Sequence, residues 1–144
     1  MLGQPVKGWR EVNDMTFRQL TLIVVDGTFA ICRLEPDASI PSWATESCYF
    51  SVTRTADELS VVCRQDTVPD SIAAERGWRC LRVAGTMPFS LVGILSSLTA
   101  PLAEAGISVF AISTFVTDYL LVKAEDLDRA IEALRGHGHT IPVS

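Results

Sequence analysis

The sequence predicts an α+β fold made of two βαββαβ units in tandem, with antiparallel sheets and helices on one face of each. Three observations predict it. From Cys80 onward the chain spells strand, helix, strand, strand, helix, strand. A strand–turn–strand figure is written twice, as CYFSVTRTADELSVVC at 48–63 and SVFAISTFVTDYLLVK at 108–123. Finally, 144 residues with 48% hydrophobic and 20% charged side chains suffice for one domain, or for two small units sharing a core.

The elements follow in order. FRQLTLIVVDGTFAICR (17–33) holds two β-rich runs around Asp26-Gly27, a dipeptide that predicts a hairpin because glycine accepts the positive φ of a tight turn. LEPDASIPSWATES reads as a loop with at most one helical turn, and no long amphipathic helix occurs there. Strands are expected at 49–54 and 59–64, joined by TADE. A short helix is expected over SIAAER (71–76), capped by Asp70 or Ser71, and a strand at 80–83. In SLVGILSSLTAPLAEAG, Leu91, Ile94, Leu95, Leu98 and Leu102 keep helical spacing, with Ser90 as N-cap and Gly106 as the stop. Pro101 should kink that helix or restart it. ISVFAIST and DYLLVK follow as strands. A second helix over about 125–135 carries Leu127, Ala130, Ile131 and Leu134 on one stripe, with Glu125 and Asp126 at its start and Arg135 at its end. HTIPV supplies a last short strand.

At an offset of 60 the two repeated windows match Phe50 with Phe110 and Val62 with Val122, two identities in 16 positions. The shared rhythm, strand then polar turn then strand, points to duplication of one unit. On this reading 1–16 is a leading segment, 17–78 a first unit with a short first helix, and 79–144 a second unit.

Composition excludes several classes. Twelve basic against 17 acidic side chains give a net charge of −5 with no basic cluster, against nucleic-acid binding. The N-terminus lacks the apolar core of a secretory signal. The longest uncharged run, 83–103, is interrupted by Gly85, Pro88, Gly93 and Pro101, so no membrane helix is expected. The expected compartment is therefore the cytoplasm. Four cysteines at 32, 48, 63 and 80 lack zinc-site spacing, and Cys32 and Cys63 read as small core residues. His137 and His139 read as a surface tail, and the three tryptophans as packing residues. No catalytic triad order, phosphate loop or paired-carboxylate motif stands out, so no enzyme, metal or cofactor is expected.

The stretch from Phe89 to Leu134, with LAEAGI, VFAIST, YLLVK and EDLDRAIEAL, resembles an ACT domain of the aspartate-kinase type. FSVTRTADELSVVC followed by AERGW and FAISTFVTDY is similar to tandem-ACT proteins such as the modules of the cytosolic arginine sensor. The resemblance implies ferredoxin-like units that bind an amino acid or similar small metabolite, often as homo-oligomers, and a separate protein partner to receive the signal. It also implies that Ser113-Thr114-Phe115 with Asp118 lies at the ligand pocket. Physically, a zwitterion needs donors for its carboxylate and an acceptor for its ammonium. Met87, Phe89 and Ser90, leading into a helix N-terminus, could hold the carboxylate. Asp118 could hold the ammonium, with hydroxyls from Ser113, Thr114 and Thr117 and an apolar wall from Phe115. Ile107 and Ser108 follow Gly106 in the loop where ACT domains meet effectors. Each also has a structural reading: Ser90 as a cap, Asp118 as a turn residue, Ile107 as core. Asp57 and Glu58 read as a solvated hairpin tip. The competing function is a protein-interaction module that uses an exposed sheet edge or face without a small ligand.

Overall fold

The structure is a computed structural model that describes residues 9–12, 15–85 and 92–143, with side chains from residue 19 onward. Strands β1 (Trp9–Val12) and β2 (Met15–Arg18) form a separate antiparallel ribbon. Then come β3 (Leu22–Leu34), β4 (Ser51–Arg54), β5 (Leu59–Arg64), β6 (Ala74–Val83), α1 (Ile94–Glu104), β7 (Phe110–Ser113), β8 (Asp118–Lys123) and α2 (Leu127–Gly136). The chain divides into two compact units, Asp26–Cys80 on one hand and Met1–Val25 with Leu81–Ser144 on the other.

In the Asp26–Cys80 unit, β4, β5, β3 and the start of β6 lie side by side in that order. The register places Ala30 opposite Cys63, Cys32 opposite Val61 and Leu34 opposite Leu59. Side chains alternate faces along a strand, so these six share one face. That face is the unit's core, covered by Ala44 and Trp43 from a 3-10 turn at Ser42–Thr45 and by Val68 and Ile72. Cys32 and Cys63 are buried there, as expected. The single short helical turn after Leu34 is also as expected.

In the other unit the first residues of β3, the end of β6, β8 and β7 are ordered side by side. β3 and β6 run antiparallel, since the Ala84 N–H donates to Thr21 O at 2.8 Å and the Arg33 N–H to Ala73 O at 3.0 Å. The sequence order β6–α1–β7–β8–α2, closed by a parallel bridge between Thr21 and Thr140, is the expected βαββαβ path. The last strand is reduced to that bridge. Leu81, Val83, Leu120 and Val122 meet Ile94, Leu98 and Leu102 of α1 and Ala130 and Leu134 of α2 in one apolar cluster. Gly106 ends α1 with φ +74°, and the Ile107 N–H returns to Leu102 O at 2.9 Å.

Five expectations are corrected. Asp26-Gly27 is not a hairpin; β3 runs through it unbroken. Gly27 does take positive φ, +100°, but inside the strand, where a Cβ would lie 2.4 Å from Arg64 Nε. The positive φ inside the strand, not a turn, requires the glycine, and the Arg64 guanidinium lies over the bare backbone it leaves. SIAAER is not a helix capped by Asp70 or Ser71: β6 begins at Ala74, because pairing with β3 outweighs the local propensity of a short segment. The repeat is in register at an offset of 59, not 60, with β4 matching β7, β5 matching β8, and 3-10 turns at Gln65–Thr67 and Ala124–Asp126. A one-residue slip inverts which side chains face the core, and the buried Val61, Val62 and Cys63 correspond to the buried Leu120, Leu121 and Val122.

The fourth and fifth corrections are that α1 is capped by Gly93 rather than Ser90, and that His139 does not belong to a surface tail. α1 runs past Pro101 to Glu104 without restarting. Proline has no N–H, so the Ser97 carbonyl loses its helical donor. His139 takes that place: its Nε2 lies 3.0 Å from Ser97 O, and its Nδ1 accepts the Leu20 N–H at 3.1 Å. His139 is thus 6% exposed rather than part of a surface tail. Since Nδ1 is an acceptor, the ring is the tautomer with its proton on Nε2. His137 does lie at the surface, beside Glu104.

Candidate functional site

The β7–β8 hairpin gathers five of the residues singled out from the sequence. β7 and β8 pair antiparallel, with Ser113 opposite Asp118 at the end. The turn between them is fixed by Thr114. Its N–H and its hydroxyl both reach Thr117 O at 2.9 Å, and its hydroxyl accepts the Thr117 N–H at 3.2 Å. Threonine suits this place because a short hydroxyl side chain can close a turn on its own backbone. Thr117 is buried, and its hydroxyl donates to Val83 O at 2.8 Å, tying the turn to the end of β6. Both hydroxyl protons are therefore committed to backbone carbonyls. Phe115 at the tip is 78% exposed and Val116 48%. Asp118 is half-buried at the first position of β8.

The other candidates stand elsewhere. Ile107 packs in the core cluster, and Ser108 beside it is exposed. The four-residue strand β7 separates them from the turn, about 13 Å of extended chain. Met87, Phe89 and Ser90 lie outside the described residues. α1 begins at Ile94 with Gly93 as its N-cap, three residues after Ser90.

The first hairpin carries the same turn. The Thr55 N–H donates to Glu58 O at 2.9 Å, and its hydroxyl accepts the Glu58 N–H at 3.2 Å and the Asp57 N–H at 3.1 Å. Asp57 and Glu58 thus sit in a backbone-closed tip. At the offset of 59, Ala56 stands for Phe115 and Leu59 for Asp118, and Leu59 is fully buried. The two hairpins share a scaffold, and the second alone combines an exposed aromatic ring with a carboxylate. Among the described residues no group of three or more histidine, cysteine or acidic side chains is placed to hold a metal ion. No helix among the described residues is long and apolar enough to cross a membrane.

The family model described as ACT domain matches residues 73–136, and a second model, described as an N-terminal domain, matches 27–71. A crystal structure of an Agobacterium tumefaciens protein superposes with a TM-score of 0.85 at 36% identity, covering 89% of this chain and 96% of that one. Residues 73–136 belong to the ACT-domain family. It is 32% identical over 97 residues to the cytosolic arginine sensor for mTORC1 subunit 1 of Homo sapiens, which covers 60% of this chain and 30% of the sensor. This ACT-domain chain therefore spans under a third of that relative's length. The regulatory subunit of aspartate kinase from Thermus flavus has the same fold, with a TM-score of 0.59 at 11% identity over 83% of this chain and 99% of the other. The α+β, ferredoxin-like architecture expected from the sequence is the one present.

Proposed function

We propose that this ACT-domain chain is a regulatory module that binds an amino acid or similar small metabolite and has no catalysis of its own. The observation that carries this reading is the β7–β8 turn. Thr114 and Thr117 lock the backbone, and the locked turn displays Phe115 beside Asp118 in a family that includes an arginine sensor. A rigid carboxylate supplies the acceptor an ammonium group needs. Asp118 is the ammonium partner, with Ser113 and Phe115 beside it. Met87, Phe89, Ser90, Ile107 and Ser108 are assigned to the surrounding lobe, reached across a second subunit of a homodimer. In sequence the chain is a tandem of ACT repeats, 17–78 and 79–144, whose boundaries differ from those of the compact units, and the protein acts in the cytoplasm by changing its contacts with a separate protein.

The edge strand β7 with exposed Phe115 and Val116 favours one alternative, a protein-docking edge without a ligand. Asp118→Ala separates the two. Under the ligand reading an amino acid protects the wild type against thermal unfolding and the variant does not respond. A wild type that responds to no amino acid, yet retains a protein partner in both forms, leaves the docking reading standing and ends the ligand reading.

A further inference from the structure

The Asp26–Cys80 unit contains a cleft of ≈ 510 Å³ in which Gly27, Arg64, Gln65, Asp66, Asp70 and Arg76 line the wall. The volume falls within the roughly 300–1,000 Å³ typical of small-molecule sites. None of these residues belongs to the β7–β8 hairpin or its lobe.

The cleft is built around Arg64. Gly27 leaves the backbone bare where the guanidinium crosses it, since any Cβ would lie within 2.4–2.7 Å of Arg64 Nε, Cζ and Cδ. Arg64 Nε is buried without a hydrogen-bond partner. Its Nη2 has only a 3.4 Å approach to Asp66, whose side chain is 68% exposed. An arginine brings five N–H donors, so most of this fork is uncommitted among the described residues. Arg76 is anchored on one nitrogen, with Nη2 donating to Pro69 O at 3.1 Å and Ile72 O at 3.4 Å. Gln65 accepts the Gly77 N–H at 2.6 Å through Oε1, which leaves its amide N–H groups as donors. Leaving donors idle in a partly desolvated cleft is unfavourable, and a bound anionic group removes that penalty.

The charges decide the class. Two guanidinium groups face two carboxylates, so the cleft is balanced. A plain anion meets repulsion from Asp66 and Asp70, and a plain cation meets it from Arg64 and Arg76. A molecule with both groups satisfies both, with its carboxylate on the arginine fork and its ammonium on the aspartates. Val68 is the sole aliphatic lining residue among the described ones, which suits a ligand with a small polar side chain. We propose that this cleft is a second binding site, for a small zwitterion such as a polar α-amino acid. It stands on the Asp26–Cys80 unit alone and goes beyond the hairpin reading.

The test is amide-resolved NMR titration of the whole chain with serine, asparagine and glutamine at millimolar concentration, with succinate and putrescine as single-sign controls. The proposal expects shifts at Gly27, Gln65 and Gly77 that persist in Asp118→Ala. They should weaken by about tenfold or more in Arg64→Gln and in Arg76→Gln, each shown by its spectrum to be folded. Shifts confined to residues 107–118 would overturn the second site and leave the hairpin reading intact. Shifts confined to the cleft would support it and remove the hairpin reading. Equal response to succinate would overturn the zwitterion assignment, and silence throughout would overturn both.

Discussion

Replacing His139 by leucine isolates one buried contact. The imidazole joins three chain segments: it accepts the Leu20 N–H, donates to Ser97 O, and lies just beyond α2. Leucine fills a similar volume and offers neither function. Two buried backbone groups are then unpaired, at about 1–3 kcal/mol each, so His139→Leu should cost about 2–6 kcal/mol. The Ser97 share exists only because Pro101 supplies no N–H four residues on. Pro101→Ala restores that donor, so the loss in the alanine background should be smaller by about 1 kcal/mol. Urea unfolding of the four proteins, followed by circular dichroism, closes the double-mutant cycle. A cost of His139→Leu below about 1 kcal/mol, or no coupling to Pro101, would refute the reasoning.

Three further outcomes follow from named contacts. Gly27→Ala forces a Cβ into the Arg64 guanidinium at φ +100°, and should lower unfolding stability by about 1–3 kcal/mol in the same assay. Thr117→Val removes the donor to Val83 O and should cost about 1–2 kcal/mol while leaving the β7–β8 cross-strand contacts visible by NMR. A hydrogen bond from the Cys32 thiol, helped by the Thr67 hydroxyl, lowers Cys63 from 9.0 to about 7, while donating to Cys63 and burial push Cys32 upward. A folded-state value below the unfolded one adds stability as pH rises from about 7 to about 9. Wild type should therefore gain on the order of 1 kcal/mol over Cys63→Ser across that window, read by unfolding at each pH.

The second half was legible because its periodicities are long and its C-terminal stop is a glycine, although α1 is capped by Gly93 and not by Ser90. Ile94, Leu98 and Leu102 in α1, and Ala130 and Leu134 in α2, face the core as their spacing requires, and Gly106 stops α1 as predicted. The first half misled where one residue type serves two purposes. Gly27 after Asp26 has the local chemistry of a turn, yet it takes its positive φ inside β3, where the Arg64 side chain, 37 positions later in the sequence, crosses it. The same long-range cause hid the cleft, since Arg64, Gln65, Asp66 and Arg76 form no local motif. A glycine inside a β-rich run, with an arginine on the neighbouring strand, was the available signal. His139 escaped because its partner, the carbonyl orphaned by Pro101, is 42 residues away. In the hairpin the sequence located Thr114, Phe115, Thr117 and Asp118 together, but side-chain identity alone does not say which hydroxyls the turn itself consumes.

A thermal-shift titration of the whole chain against each proteinogenic amino acid tests the proposed function most directly. The account predicts that at least one raises the melting temperature progressively with concentration, as a ligand selective for the folded state must. A melting temperature unmoved by all of them at millimolar concentration would contradict it.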